Sequence, residues 1–342
     1  MTRVCIYGAG LVGCYLGGRL LAAGADTRLI GRPAMGDALR REGLATSCYD
    51  GRSWRTRPGS ILFGTDAAMA ADADLVLVTV KSGATAEAAR ELAAVLAPTA
   101  IVVSFQNGIG NGAVLKQALG ERLVLDGIVP FNIVAKGPGH FHQASEGHLY
   151  VQAAAGADAS LAVFTPTGML LERPAEMRPV QWAKLLLNLN NAVNALANLP
   201  LKQELSQRGY RRCLAAAQRE ALGLLDEAGI RPARLTPLPP HRIPTLLELP
   251  DFVFALLARR MLAIDPSARS SMAEDLAAGR PTEVDWINGE VVRLAEGLGR
   301  TAPVNARLCA LVHAAESVAS RPSWSPAALL AELRQAAESG RT

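Results

Sequence analysis

The sequence of 342 residues has few aromatic side chains, little net charge and few cysteines. Aromatic residues make up 5%, and the formal net charge of +4 is not gathered into a stripe. A nucleic-acid partner is therefore not expected, because such surfaces combine clustered positive charge with stacking rings. The five cysteines are odd in number and far apart, and no C-x-x-C pair occurs. This pattern argues against a disulfide framework and against a structural zinc site.

Long apolar runs are also missing, although hydrophobic residues make up 50% of the chain. No run approaches the ~20 residues that span a bilayer, because charged residues interrupt the alanine-rich stretches. Met1 leads almost directly into the first predicted strand, so we expect no signal peptide. Together with the cysteine usage, these absences predict a cytoplasmic protein without a membrane partner.

Three histidines, His140, His142 and His148, lie close enough in the sequence to raise the question of a metal site. Their spacing fits no common set of metal ligands. Alternating apolar residues around them instead predict solvated positions on antiparallel strands. We therefore expect no metal.

A glycine-rich turn follows the first predicted strand. The run 4–7 predicts a buried strand, and the apolar pattern from Leu11 onward predicts a helix. The turn between them has the G-x-G-x-x-G spacing of dinucleotide-binding sites, in which Gly8 permits the tight bend, Gly10 admits a pyrophosphate and Gly13 allows helix–strand packing. The alternative is an ordinary tight β–α turn. The predicted cofactor-binding residues of this turn are Gly8, Ala9, Gly10, Leu11, Val12 and Gly13.

The end of the second predicted strand, residues 26–32, indicates which dinucleotide is bound. NAD sites place an acidic residue about 20 residues beyond the glycines, whereas NADP sites place an arginine nearby. Here Arg32 occupies this region, and no acidic residue follows until Asp37. We interpret Arg32 as a ligand of the 2′-phosphate and predict NADP(H) as the cofactor. The alternative is a solvated surface arginine.

Polar side chains follow two further predicted strands. Residues 74–80 form a nearly continuous apolar run, as expected for a parallel strand buried on both faces, and Lys81 follows it. Residues 101–104 form the next strand, and Gln106 and Asn107 follow that one. Ligands of open α/β sheets bind at the carboxyl ends of the strands, so these side chains are candidate site residues.

The sequence pattern changes between Pro174 and Pro179. Strands alternate with helices before this point, and no convincing strand is predicted after it. We expect an α/β protein with an N-terminal Rossmann-type dinucleotide-binding domain (1–176) and an all-helical C-terminal domain (177–342). The proline-rich stretch 231–250 predicts an irregular connection. The C-terminal helices are predicted over 181–196, 210–228, 252–264, 271–278, 283–298 and 305–317.

Two polar clusters interrupt the apolar pattern of the C-terminal half. Lys184 and Asn188 lie four residues apart, on one face of a predicted helix whose neighbours are leucines. Polar groups in such a setting need partners or a ligand. The alternative is structural, with the lysine reaching solvent and the asparagines bonded to the backbone. Glu283 lies at a predicted helix start, where it could simply complement the helix dipole while Thr282 and Asp285 form a capping box.

The chain resembles the ketopantoate reductase family from end to end. The residues that carry the resemblance are the glycine turn, Arg32, Lys81 after Thr79-Val80, Gln106-Asn107-Gly108, Lys184 with Asn188, Ser270-Ser271-Met272, and Thr282-Glu283-Val284-Asp285 before Ile287-Asn288-Gly289. The resemblance implies a Rossmann domain with a helical domain, NADPH as the cofactor, and reduction of 2-dehydropantoate to (R)-pantoate in pantothenate and coenzyme A biosynthesis.

The resemblance also implies a role for each matched residue. Lys184 corresponds to the proton donor, and Glu283 corresponds to the residue that holds the hydroxyl end of the substrate. Asn188 and Ser271 match ligands on the substrate side. Lys81 matches a cofactor contact. Asn107 matches a substrate ligand that also lies near the nicotinamide, and Glu283 is expected beside the cofactor as well.

Two departures lie on the substrate side. The family often has an asparagine eight residues after the lysine, where this chain has Ala192, and Asn191 or Asn194 could take its place. The stretch 231–250 is longer than in compact members. One alternative is therefore a D-2-hydroxy acid dehydrogenase of the same fold that acts on another branched or aryl 2-oxo acid. Another is a non-catalytic NADP(H)-sensing protein. The oligomeric state stays open, with a homodimer as one alternative.

Overall fold

The computed structural model describes residues 2–258, 266–318, 321 and 323–340. The chain divides into two compact units, Met1–Met177 and Arg178–Thr342. The first unit contains every strand found in the described residues, and the second is helical. None of the described helices is long and apolar enough to cross a membrane.

The first unit is built from strands and short helices. Its strands are β1 (Val4–Tyr7), β2 (Thr27–Ile30), β3 (Leu44–Cys48), β4 (Ser53–Thr56), β5 (Leu62–Gly64), β6 (Leu75–Val78), β7 (Ile101–Ser104), β8 (Val124–Ile128), β9 (Ile133–Ala135), β10 (His140–Gln143), β11 (Leu149–Val151) and β12 (Leu171–Glu172). Its helices are α1 (Leu11–Ala22), α2 (Pro33–Glu42), α3 (Thr85–Val95), α4 (Asn111–Leu119) and α5 (Asp158–Leu161). Short 3₁₀ turns cover Ala67–Ala70, Ser82–Ala84 and Ala162–Thr167.

The larger sheet has the order β12-β11-β8-β7-β6-β1-β2-β5. Strands β5, β2, β1, β6, β7 and β8 run parallel, and β11 pairs antiparallel with β8. Strand β1 is flanked by β2 on one side and by β6 on the other, so the strand order reverses there. This is the order of a doubly wound dinucleotide-binding fold, as the sequence predicts.

The parallel strands of this sheet are buried on both faces. Val4 and Ile6 of β1 belong to one apolar cluster, and Cys5 and Tyr7 belong to another. Each cluster also takes alternate residues of β6. This alternation explains why β1, β6 and β7 are uninterrupted apolar runs in the sequence.

A smaller sheet has the order β4-β3-β10-β9. Strands β3 and β4 pair antiparallel across the turn at Asp50-Gly51. The predicted antiparallel strands after Pro130 are also present, since β9 pairs antiparallel with β10. In this sheet the Ser47 hydroxyl lies 2.8 Å from ring nitrogens of both His140 and His142.

The described part of the second unit is built from helices. They are α6 (Arg178–Asn188), α7 (Asn190–Ala197), α8 (Leu201–Leu205), α9 (Arg208–Glu227), α10 (Ile243–Leu247), α11 (Asp251–Leu257), α12 (Ser271–Ala277), α13 (Val284–Gly297), α14 (Pro303–Glu316) and α15 (Pro326–Ser339). A 3₁₀ turn covers Pro240–Arg242.

Three predictions for the helical half need correction. The helix predicted over 181–196 is two helices, α6 and α7, which meet at Leu189. The stretch 231–250 is not wholly irregular, because it contains α10, where Pro244 occupies a first-turn position that tolerates proline. The helix predicted over 252–264 corresponds in its first part to α11, and residues 259–264 of that prediction lie outside the described residues.

Candidate active site

The glycine turn between β1 and α1 has the shape that a dinucleotide phosphate needs. Gly8 has φ +113°, and a Cβ atom there would lie 2.6 Å from the backbone nitrogen of Val80. A Cβ atom on Gly13 would collide with the carbonyl oxygen of Gly8. A Cβ atom on Gly10, in contrast, would meet no atom within 4 Å. The outer glycines are therefore required by the fold, whereas Gly10 leaves open space in which a pyrophosphate fits.

Backbone hydrogen bonds hold this turn in place. The N–H groups of Gly8 and Ala9 both donate to the carbonyl oxygen of Ile30, over 3.0 and 2.8 Å. The helix α1 then begins without a side-chain cap at Gly10. Its first N–H groups have no acceptor within the helix, so they and the positive end of the helix dipole favour an anion.

The loops that follow β6 and β7 are tied together. The Ser82 hydroxyl donates to the carbonyl oxygen of Asn107 over 2.8 Å, and the Asn111 amide donates to the same oxygen over 2.7 Å. The structure therefore brings Asn107 next to the loop that carries Lys81. Gln106, in contrast, is buried, and its amide donates to the carbonyl oxygen of Val80 over 3.1 Å. Its role is to join the two loops.

Arg32 lies at the start of α2, directly after β2. Its side chain is exposed and forms no hydrogen bond or ion pair within the described part of the chain. The nearest acidic residue along the sequence, Asp37, is paired with Arg40, 2.5 Å away. The guanidinium of Arg32 is therefore available to an anionic ligand.

Lys184 and Asn188 lie one turn apart on α6. Lys184 is half-buried between Ala183 and Leu185, which are 4% and 2% exposed. Burial lowers the pKa of Lys184 to about 8. The Asn188 side chain is half-buried and makes no hydrogen bond within the described residues. This face of α6 thus presents a readily deprotonated cation and an amide.

The asparagines after Asn188 mostly serve the fold. The Asn190 amide donates to Glu204 over 3.0 Å, and the Asn194 amide donates to the carbonyl oxygen of Leu199 over 3.0 Å. Asn194 is fully buried, whereas Asn191 is half-buried and its side chain has no hydrogen bond within the described residues. Of the candidates for the asparagine missing at Ala192, only Asn191 keeps an amide that is not already used.

Ser271 is the first residue of α12 and is exposed. The helix is capped by Ser270, whose hydroxyl accepts from the N–H of Ala273 over 3.2 Å. Because Ser270 performs the capping, the hydroxyl of Ser271 is left for another partner. Within the described residues, no group of three or more His, Cys, Asp or Glu could hold a metal ion.

Glu283 lies at the start of α13 and is 8% exposed. Its side chain does not cap that helix. The structural alternative, a capping box of Thr282 and Asp285, is not what the structure shows: the Thr282 hydroxyl accepts from the N–H of Val284 over 3.3 Å, and Asp285 Oδ1 lies 2.9 Å from His313 Nε2. Partners from α14 replace the local cap.

Comparisons with known proteins identify the family. The model of "Ketopantoate reductase PanE/ApbA" matches residues 4–156, and the model of its C-terminal part matches residues 176–316. A 2-dehydropantoate 2-reductase from Halobacterium salinarum is 32% identical over 92% of this chain and 99% of its own length. One from Archaeoglobus fulgidus is 29% identical over 93% of this chain and 99% of its own length.

Solved structures show the same likeness. A PanE/ApbA family ketopantoate reductase from Ralstonia eutropha has a TM-score of 0.76 and 33% identity, and the match covers 92% of this chain and 98% of that one. A D-mandelate dehydrogenase in complex with NADH and anilino(oxo)acetate has a TM-score of 0.75 at 18% identity, over 92% of this chain and 98% of that one. At that identity the second likeness concerns the fold alone.

Fold and family together define an oxidoreductase that acts on CH–OH groups and uses a nicotinamide dinucleotide. The chain belongs to the ketopantoate reductase family, and its reaction is of the 2-dehydropantoate 2-reductase type, on a small 2-oxo acid. The family and the fold class predicted from the sequence are both confirmed.

Proposed function

We propose that this chain catalyses the NADPH-dependent reduction of 2-dehydropantoate to (R)-pantoate, as a cytoplasmic step toward pantothenate and coenzyme A. The observation that carries the proposal is Lys184 on α6, a half-buried lysine whose pKa burial lowers to about 8, one turn from the amide of Asn188. Relatives that align with nearly the whole chain are named 2-dehydropantoate 2-reductase, which supports this choice of substrate.

The N-terminal domain, residues 1–176, would hold the cofactor. The open space at Gly10 and the first N–H groups of α1 suit the pyrophosphate. Arg32 suits the 2′-phosphate, because its guanidinium is exposed and pairs with no carboxylate in the described part of the chain. Lys81 and Asn107 follow β6 and β7 at the carboxyl edge of the sheet, where ligands bind in this fold. When bound, the nicotinamide supplies the hydride.

Lys184 would act on the oxygen of the substrate ketone. As that oxygen gains negative charge, a cation within hydrogen-bond reach stabilises it and then protonates it. A pKa of about 8 suits this role, because the lysine is mostly protonated at neutral pH yet releases its proton more readily than an exposed lysine would.

The C-terminal domain, residues 177–342, would bind the substrate. The side chains of Asn188 and Ser271 make no hydrogen bond among the residues that the structure describes, and both can donate to a carboxylate. Glu283 is a poor partner for a carboxylate but a good acceptor for a hydroxyl, which 2-dehydropantoate has and simpler 2-oxo acids lack. Asn191 is a further donor of this kind.

A D-2-hydroxy acid dehydrogenase remains the second candidate function, because Ala192 replaces an asparagine that the family often has. A non-catalytic NADP(H) sensor is disfavoured, since binding alone does not require a lysine of lowered pKa. The two enzymatic functions differ in whether the substrate carries a hydroxyl for Glu283.

The test is the oxidation of NADPH with a set of 2-oxo acids. The set contains 2-dehydropantoate, a branched 2-oxo acid without the hydroxyl, and an aryl 2-oxo acid. We expect the highest kcat/KM with 2-dehydropantoate. A higher value with either of the other acids would favour the second enzymatic function, and NADPH binding without any turnover would favour the sensor.

A further inference from the structure

Three residues on one face of α14 contact the segment where α13 begins. Cys309, His313 and Glu316 are spaced four and three residues apart, so their side chains lie on the same side of the helix. All three contact residues between Thr282 and Asp285. We call this set of three residues the α14 clamp.

The α14 clamp contacts the residues on both sides of Glu283 in the sequence. Before it, the buried Thr282 donates its backbone N–H to Glu316 Oε1 over 2.7 Å. After it, Asp285 Oδ1 lies 2.9 Å from His313 Nε2. The Cys309 thiol reaches the carbonyl oxygen of Val284 over 3.9 Å.

His313 links the two carboxylates of this network. Its Nδ1 lies 3.0 Å from Glu316 Oε2, while its Nε2 faces Asp285. Protonated histidine donates from both nitrogens and can bond both carboxylates, whereas the neutral ring donates from only one. The charged groups that face this ring are Glu316 on its own helix and Asp285 on α13, and Arg293 of α13 donates to the carbonyl oxygen of Asp285 over 2.6 Å.

The surrounding charges favour the form in which protonated His313 bonds both Glu316 and Asp285. The hydrogen bond with Glu316, opposed by partial burial and supported by Asp285, raises the pKa of His313. Partial burial works against the ionisation of Glu316, but the hydrogen bonds from Thr282 and His313 outweigh it and lower the pKa of that carboxyl. At pH values between the lowered pKa of Glu316 and the raised pKa of His313, the histidine is charged and the carboxylate is ionised.

The position of the Glu283 backbone is linked to this network because Thr282 before it and Asp285 after it are both bonded to α14. Glu283 precedes the first turn of α13, and its side chain makes no capping bond there. Loss of Glu316 would leave the buried N–H of Thr282 without its acceptor, and such a group relaxes by moving. A movement of Thr282 is passed directly to the adjacent backbone of Glu283.

We propose that Glu316 and His313 are positioning residues, which hold Glu283 in the orientation that receives the substrate hydroxyl. The proposal rests on the role of Glu283 in the proposed function and extends it to a second layer of residues. Neither residue needs to touch the substrate, and both act only through Glu283.

The first test replaces Glu316 with alanine and uses Glu332→Ala as a matched control. Glu332 also pairs with α14, through Arg307 at 2.6 Å, but it is not part of the α14 clamp. We expect Glu316→Ala to raise the KM for 2-dehydropantoate about tenfold, the effect of one lost charge-assisted hydrogen bond, with a smaller change in kcat. The KM for NADPH should change less, because the glycine turn and Arg32 supply most of the contacts proposed for the cofactor. Glu316→Gln, which keeps an acceptor for Thr282, should recover most of the loss.

The second test uses pH. In the wild type, the KM for 2-dehydropantoate should rise as pH rises through the pKa of His313, because the neutral ring releases one of its two carboxylates. His313→Gln should lack this rise, while any pH effect that comes from Lys184 stays common to both proteins. Identical KM profiles in the two proteins would overturn the proposal, even if Glu316→Ala does not fold.

A double-variant comparison separates this proposal from the proposed function. If the α14 clamp acts through Glu283, Glu316→Ala should add no further loss in a Glu283→Ala background. If Glu283→Ala alone leaves substrate preference unchanged, the role assigned to Glu283 in the proposed function fails. If Glu283→Ala removes the preference but Glu316→Ala behaves like Glu332→Ala, the proposed function stands and the positioning role is overturned.

Discussion

The side-chain oxygen of Asn194 accepts a hydrogen bond from the backbone N–H of Ser270, 2.9 Å away. This bond ties the buried helix α7 to the start of α12, where Ser271 is presented. The amide of Asn194 also lies 3.4 Å from Glu204 Oε2, and Asn190 donates to the same oxygen over 3.0 Å. A fully buried carboxyl group therefore supports the segment that carries a candidate substrate ligand.

The Glu204 carboxyl should make the stability of the protein depend on pH. Burial raises its pKa from 4.5 to about 7, although Asn190 and Asn194 both donate to it. Its Oε1 has no hydrogen-bond partner in the described residues, so an ionised carboxylate would be only partly compensated there. Because the folded state binds this proton more tightly than the unfolded state, stability should fall as pH rises from 4.5 toward 7.

Glu204→Gln should remove that dependence, because glutamine resembles the protonated acid and does not ionise. We expect the variant to gain up to about 3 kcal/mol over the wild type at pH 8 compared with pH 5. Thermal unfolding at both pH values measures this, with the exposed Glu338→Gln as the control. Parallel pH profiles of wild type and Glu204→Gln would show that the carboxyl does not titrate in this range.

The glycine turn predicts opposite outcomes for two alanine substitutions. Gly10→Ala should leave the unfolding temperature almost unchanged, since a Cβ there meets no atom within 4 Å, but should weaken NADPH binding by occupying the phosphate space. Gly13→Ala should instead destabilise the fold by about 1–3 kcal/mol through overpacking. Thermal unfolding and NADPH titration of both variants check this. A stable Gly10→Ala variant that binds NADPH normally would place the phosphates elsewhere.

Arg32 should decide between NADPH and NADH. Arg32→Ala should weaken NADPH binding by about 10–100-fold, the effect of a lost charge-assisted contact with the 2′-phosphate, and leave NADH binding nearly unchanged. Arg40→Ala, which removes another exposed arginine from α2, is the matched control. Equal losses for both cofactors in Arg32→Ala would exclude Arg32 as the 2′-phosphate ligand.

Lys184 should be required for turnover and not for cofactor binding. Lys184→Ala should lower kcat by about 10²–10⁴-fold, the usual contribution of a general acid, with the affinity for NADPH retained. In the wild type, kcat should decline as pH rises past about 8, because the lysine loses the proton that it donates. Steady-state kinetics against pH measure both effects, and the exposed Lys202→Ala is the control. Near-normal turnover of Lys184→Ala would remove it from the mechanism.

Local patterns in the sequence predict the central strands well. The bounds of β1 and β7 agree with the predicted runs 4–7 and 101–104, because both runs are rich in buried, β-branched or aromatic residues. Helix α2 was not predicted. Pro33 opens it and Gly36 lies within it against the ring of Phe63, so its sequence looks like a turn.

The sequence names candidate site residues, but it does not show the contacts that support them. The sequence shows that the asparagines after Lys184 need partners, yet the partners of Asn194 come from Ser270 and Glu204, which no local pattern connects to it. A local pattern also could not show that Thr282 and Asp285 are bonded to α14. Glu316 and His313, which lie about 30 residues further along the chain, supply the bonds that a local capping box would make.

The most direct test of the proposed substrate compares 2-dehydropantoate with its analogue lacking the hydroxyl, in the wild type and in Glu283→Ala. An acceptor left without its hydroxyl in a closed site costs about 1–3 kcal/mol, so the wild type should prefer 2-dehydropantoate by about 10–100-fold in kcat/KM. Glu283→Ala should erase most of that preference. A wild type that prefers the analogue, or an aryl 2-oxo acid, would contradict the account and identify a different 2-oxo acid as the substrate.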